Sequence, residues 1–142
     1  MFAKQLTVFI ENRTGRLCEV LNVLRNNDVN ILSLSLADTT EFGLLRLIVD
    51  QPERGKDKLT ENGFSSLLSN VSIIKIPHKV GSLQELLKAV DESDVNIEYM
   101  YGLSIEASDA YVVLKASDVE KLDKILDDHK IETVTSDQIT SF

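Results

Sequence analysis

The sequence predicts an α+β fold made of two ferredoxin-like βαββαβ units in tandem, each an antiparallel sheet with its helices on one face. Three observations lead there. The tetrapeptide Asp28-Val29-Asn30-Ile31 returns as Asp94-Val95-Asn96-Ile97, 66 positions later. The apolar spacing changes from a period of two to one of three and four and back again. Polar and glycine-containing turns stand between the changes. The same displacement lays Gly15 on Gly81, Leu17 on Leu83, Glu19 on Glu85 and Leu21 on Leu87. Downstream it lays Ile48 on Leu114 and Asp57-Lys58 on Asp123-Lys124. That many matches without a gap argue for duplication, and the units are expected at residues 1–70 and 71–142.

Residues 4–11 alternate through Leu6, Val8 and Ile10, the period of a half-buried strand. Gly15 then marks a turn. Over residues 16–27, Leu17, Val20, Leu21 and Leu24 recur at helical spacing, and Asn26-Asn27-Asp28 ends the helix. Residues 31–36 and 42–49 read as strands around the polar turn Asp38-Thr39-Thr40-Glu41. Pro52 suits a first helical turn, and Leu59 marks the weak apolar face of a helix that stops at Asn62-Gly63. Residues 65–76 supply the last strand and, past Ser69-Asn70, the first strand of the second unit.

The second unit repeats the order. Residues 82–93 read as a helix, 97–105 and 110–115 as a hairpin, 119–128 as a helix and 132–136 as a strand. Ser82, with Glu85 three residues on, has the pattern of a capping box. Units of this size bury only about 60% of their unfolded surface, so the two are expected to fold against each other. Ile31 reads as facing one side of its strand and Leu32, Leu34 and Leu36 the other. With both helices on one face of the sheet, the second apolar side calls for cover, and a second copy of the chain is the expected cover.

Composition narrows the function. With 43% hydrophobic and 27% charged residues, the chain is outside the disordered and low-complexity classes. A net charge of −8, of which −7 lies in residues 71–142, disfavours nucleic acid and anionic membrane surfaces as partners. No apolar run approaches membrane-spanning length, since residues 44–49 are already interrupted by Arg46. The single cysteine, Cys18, cannot form an internal disulfide, and a cytoplasmic protein is expected. Cys18 reads as a small, partly buried helix residue, because the repeat places Gln84 at its position. His78 and His129 occupy unlike positions of the repeat, without further ligands at metal-binding spacing. Asp91-Glu92 and Asp127-Asp128 lie near helix ends as solvated charge. No G-x-S-x-G, P-loop or HExxH pattern occurs, so neither an enzyme nor a cofactor is expected.

One feature occurs twice: Asn12-Arg13-Thr14-Gly15-Arg16-Leu17 and His78-Lys79-Val80-Gly81-Ser82-Leu83, each between a first strand and a first helix. Backbone N–H groups opening a helix lack intrahelical partners and carry partial positive charge, which suits an anion such as a carboxylate. A tight strand-to-helix turn without a ligand would ask for the same glycines.

Gly-x-Leu opening an amphipathic helix, then Val-Asn-Ile opening a strand, in a βαββαβ unit of this length, resembles the ACT domain, a regulatory module that binds amino acids. The resemblance covers both copies, and Asn96-Ile97-Glu98-Tyr99-Met100-Tyr101 is similar to the second module of small stand-alone tandem ACT proteins. It implies a non-catalytic regulator, a homodimer, that binds a small amino acid between modules and acts on an enzyme of amino-acid metabolism in trans. The site it implies combines the strand-to-helix turn of one module with the second strand of its neighbour. Here that means Asn12, Arg13, Thr14, Gly15, Arg16 and Leu17 with Asn30 and Ile31, and His78, Lys79, Val80, Gly81, Ser82 and Leu83 with Asn96 and Ile97. The family's turn reads Asp-x-Pro-Gly, whereas Asn12 or His78 stands at the Asp position and Thr14 or Val80 at the Pro position. The carboxylate that would meet a ligand's ammonium is therefore absent. A ligand-free assembly module is the alternative.

Overall fold

The computed structural model describes residues 1–11, 13–38, 41–106 and 109–139. Twelve elements follow in order: β1 (Ala3–Glu11), α1 (Arg16–Asn26), β2 (Ile31–Asp38), β3 (Phe42–Val49), α2 (Pro52–Glu61), β4 (Ser65–Pro77), α3 (Ser82–Glu92), β5 (Ile97–Glu106), β6 (Asp109–Ala116), α4 (Val119–Asp128), β7 (Glu132–Val134) and α5 (Ser136–Ile139). Thr39 and Thr40 of the expected hairpin turn lie outside the described residues. The chain divides into two compact units, Lys4–Ser69 and Met1–Ala3 with Asn70–Phe142. β4 is a single strand with no break at Ser69-Asn70. The expected strand over residues 132–136 is shorter, because a four-residue helix takes Ser136.

In the first unit the strand order is β2-β3-β1-β4, and in the second β5-β6-β4-β7, the antiparallel ferredoxin-like arrangement. The first core joins Leu6, Val8 and Ile10 of β1 to Leu45 and Leu47 of β3, Val20 and Leu24 of α1, and Leu59 of α2. The second joins Ile74 and Ile76 to Leu86, Val90, Leu114, Leu122, Ile125 and Leu126 in the same manner. Cys18 is exposed rather than partly buried, since α1 turns Val20 and Leu24 inward.

The repeated Asp-Val-Asn-Ile string has a structural cause. Asp28 and Asp94 adopt the left-handed conformation (φ 56° and 59°), which Asp tolerates better than most residues and which ends a helix. The Asp28 N–H donates to the Arg25 carbonyl and the Val29 N–H to the Leu24 carbonyl, the paired bonds of a Schellman motif. Val29 and Val95 are buried as its apolar plug. The Asn30 and Asn96 carbonyls then accept from the Asp50 and Ser117 N–H groups, fixing the starts of β2 and β5.

Two expectations are corrected by the register. A bulge between Ile31 and Ser33 changes the alternation of β2, so Ile31, opposite Val49, and Leu34 and Leu36, opposite Leu47 and Leu45, all lie on the helix-facing side. Leu34 and Leu36 are 49% and 52% exposed because β2 is the edge strand. The second unit repeats the bulge between Ile97 and Tyr99, and there Met100 packs on the helix-side core. The opposite face is not bare either: Gln5, Thr7 and Ile48 are buried within the single chain. The apolar doubling of β2 therefore reflects a bulge and does not require a second copy.

The displacement of 66 also holds only as far as Leu36 of β2 and Gly102 of β5. Leu47, which pairs with Leu6, corresponds to Leu114, which pairs with Ser72. β5 has a further irregularity between Gly102 and Ser104 that shifts every later equivalence to 67. Leu59 and Leu126 thus match, each accepting the N–H that closes its helix, and the alignments of Ile48 with Leu114 and Asp57-Lys58 with Asp123-Lys124 are fortuitous.

Candidate functional site

The two strand-to-helix turns have one geometry. The Arg16 N–H donates to the Arg13 carbonyl at 3.4 Å, and the Ser82 N–H to the Lys79 carbonyl at 3.3 Å. Gly15 sits at φ 89°, ψ −12° and Gly81 at φ 87°, ψ −9°. A four-residue turn closed by this bond, with its third residue in that region, is a type II β-turn, which glycine accepts without a side-chain clash. Each glycine is also the N-cap of its helix, its carbonyl accepting from Glu19 or Glu85 N–H at 3.0 Å. Ser82 is consequently the first helical residue rather than the expected cap, and its side chain makes no capping bond.

The position at which the family's turn carries proline is the second residue of this turn, where φ near −60° suits proline. Val80 occupies it and is fully exposed. Val80→Pro should therefore raise stability by about 0.4–1 kcal/mol through the unfolded chain, read as a higher urea midpoint at unchanged slope. A lower midpoint would exclude this turn type.

In the first unit, Arg13, Gly15 and Leu17 meet Leu36, Asp38 and Gly43 around a cleft of about 410 Å³. Asn12 lies outside the described residues, and Asn30 and Ile31 are at the other end of β2, beside Asp50 and Val49. Arg13 is held by Glu11 at 3.2 Å. Arg16 turns away from the cleft: it pairs with Glu19, and its guanidinium carbon lies 4.2 Å from the centre of the Phe64 ring. In the second unit, Lys79, Gly81, Leu83, Asn96 and Ile97 line one open groove of about 810 Å³ along α3. His78 and Val80 are exposed beside it, while Ser82 is buried on another side of the helix. The second unit thus gathers five of its eight expected residues in one concavity, and the first gathers three.

Sequence reasoning missed Leu36, Asp38 and Gly43, which reach the first cleft because the far end of the β2–β3 hairpin pairs with the end of β1. The expected pairing of strands 2 and 3 carried that signal. Tyr99 and Tyr101 stack at 6.5 Å on the sheet face away from the helices. Among the described residues there is no group of three His, Cys, Asp or Glu placed to hold a metal ion, and no helix long and apolar enough to cross a membrane.

A family model described as an ACT domain pair matches residues 1–142. Among solved structures, protein BT0572 from Bacteroides thetaiotaomicron is 33% identical with a TM-score of 0.93, over 100% of this chain and 98% of that one. The regulatory subunit of aspartate kinase from Thermus thermophilus, in its ligand-free form, is 16% identical with a TM-score of 0.61, over 88% and 91% of the two chains. Its counterpart from Thermus flavus is 14% identical with a TM-score of 0.58, over 90% and 93%. At those identities the kinase subunits share the fold. No curated protein matches the sequence.

Proposed function

The chain belongs to the ACT domain pair family, and from that premise we propose that it is a regulatory protein without catalysis of its own. It binds a small amino acid or related carboxylate at the strand-to-helix turns and acts in trans on a partner enzyme, as a cytoplasmic homodimer. The observation that carries this reading is the twofold occurrence of one turn geometry opening onto a concavity, at Gly15 and at Gly81. The likeness in fold to an aspartate kinase regulatory subunit supports the general kind of role. Thermal shift across the twenty amino acids tests it, since a ligand at one hundred times its Kd stabilises by about 2.7 kcal/mol. A melting temperature unmoved by all twenty would refute amino-acid sensing.

Leu34 and Leu36, exposed on the edge strand β2, favour a second reading in which the chain is an assembly module. An edge strand offers unpaired backbone groups to another chain, and apolar side chains beside them add contact area. Leu34→Lys should then give a folded species of lower mass in light scattering. A wild type already monomeric, or an unchanged mass in the variant, would dismiss assembly through this edge.

A further inference from the structure

A second cavity of the Asn70–Phe142 unit, sharing only Lys79 with the turn groove, is lined by Ser82, Glu85 and His129 together with the apolar Ile76, Leu86 and Ile131. Its volume is about 260 Å³. Ser82 is 8% exposed, and its Oγ has no hydrogen-bond partner among the described residues. A buried hydroxyl left unpaired is costly and calls for an occupant that pairs with it.

The repeat shows what such an occupant resembles. Ser82 corresponds to Arg16, Glu85 to Glu19 and, past the one-residue shift, Ile131 to Phe64. In the first unit the guanidinium of Arg16 lies on Phe64 and is paired with Glu19. In the second unit serine replaces arginine: the guanidinium is gone, and Glu85 has no ion pair among the described residues. His129 occupies the C-cap position of Asn62, and both side chains bond a carbonyl four residues back, Ile125 at 2.9 Å and Lys58 at 2.8 Å. The carbonyl can only accept, so Nδ1 donates that bond, and in the neutral tautomer this sets Nε2 as the acceptor. Lys79 corresponds to Arg13, but Pro77 stands where Glu11 holds Arg13, so the lysine beside the cavity lacks that counter-charge.

We propose that this cavity binds a small molecule carrying both a guanidinium and a carboxylate, of which free arginine is the natural example. The guanidinium takes the place that Arg16 fills in the sister unit, meeting Glu85, the Ser82 hydroxyl and His129 Nε2, and the carboxylate meets Lys79. This goes beyond amino-acid binding at the turns, because the cavity lies on the Ser82 and Glu85 side of α3 and shares only Lys79 with the groove. Planar, forked recognition of a carboxylate is what distinguishes a guanidinium from an ammonium.

Calorimetry on the full chain tests the proposal with three probes: L-arginine, its neutral near-isostere L-citrulline, and agmatine, which lacks the carboxylate. Arginine should bind once per chain, with citrulline and agmatine each weaker by about tenfold or more. Ser82→Arg should abolish the binding by rebuilding the first unit's arrangement. Glu85→Gln, at an exposed position that leaves the fold untouched, should weaken arginine by about tenfold. Absence of arginine binding, equal affinity for citrulline, or full affinity in Glu85→Gln would overturn the assignment. Arginine binding lost in Gly81→Val but kept in Ser82→Arg would place it in the turn groove, overturning this inference while sustaining the proposed function.

Discussion

Replacing Leu6 by Ser should destabilise the protein by about 2–5 kcal/mol, and replacing Gly55 by Leu by about 1–3 kcal/mol, yet the double variant should lose less than the sum by about 2–3 kcal/mol. Leu6 is fully buried, and a Cβ built on Gly55 would stand 3.1 Å from its Cδ2, 3.5 Å from Leu24 Cδ2 and 3.6 Å from Val29 Cγ1. The helix α2 thus approaches β1 through a glycine because leucine fills the space beneath. In the second unit the equivalent positions are Ser72 and Leu122, both buried, so the large side chain comes from the helix and the small one from the strand. The exchange conserves volume across one contact. Urea unfolding followed by far-ultraviolet circular dichroism measures the cycle, and simple additivity of the two changes would show that the repeats do not share this packing. Units of about 65 residues are only marginally stable alone, so either single change removes a large part of what holds the first unit together.

The elements were legible because their signals are local. Leu6, Val8 and Ile10 alternate on β1, Val20 and Leu24 recur on α1, and Asp28 and Asp94 end helices where the sequence places them. Pro52 opens α2, and Asn62 closes it. What escaped depends on single-residue offsets. A bulge at Ile31 turns Leu34 and Leu36 toward the helices, an irregularity at Gly102 moves the repeat from 66 to 67, and Gly81 takes the cap that Ser82 promised. No periodicity encodes an inserted residue, since the residues on either side keep their own pattern. The site suffered the same limit. The glycine turns were visible as strings, but the hairpin end at Asp38 and Gly43 joins the first of them only through strand register. The Leu6 to Ser72 exchange hid the link between Gly55 and Leu122 in turn.

The largest effect on ligand binding is expected from the turn glycines. Gly15→Val and Gly81→Val together should weaken a bound amino acid by at least about tenfold, equivalent to about 1.4 kcal/mol. Both glycines have φ near +90°, and a Cβ on either meets nothing within 4 Å, so a new side chain would project into open space beside the first helical N–H groups. A β-branched residue is strained in that conformation, which also lowers stability, so loss of binding needs a control for strain. Gly63 supplies it: its φ is +83°, a Cβ there is equally unobstructed, and it closes α2 outside both concavities. Gly63→Val should lower the melting temperature as much as either turn variant and leave affinity intact. Arg13→Ala should change affinity less than Gly15→Val, because the exposed guanidinium is already engaged by Glu11 and surface ion pairs contribute little. Two concavities predict graded loss by calorimetry, each single variant removing one site and the double variant both. Undiminished affinity and stoichiometry in the double variant would return Gly15 and Gly81 to the role of turn formers and move the ligand elsewhere on the chain.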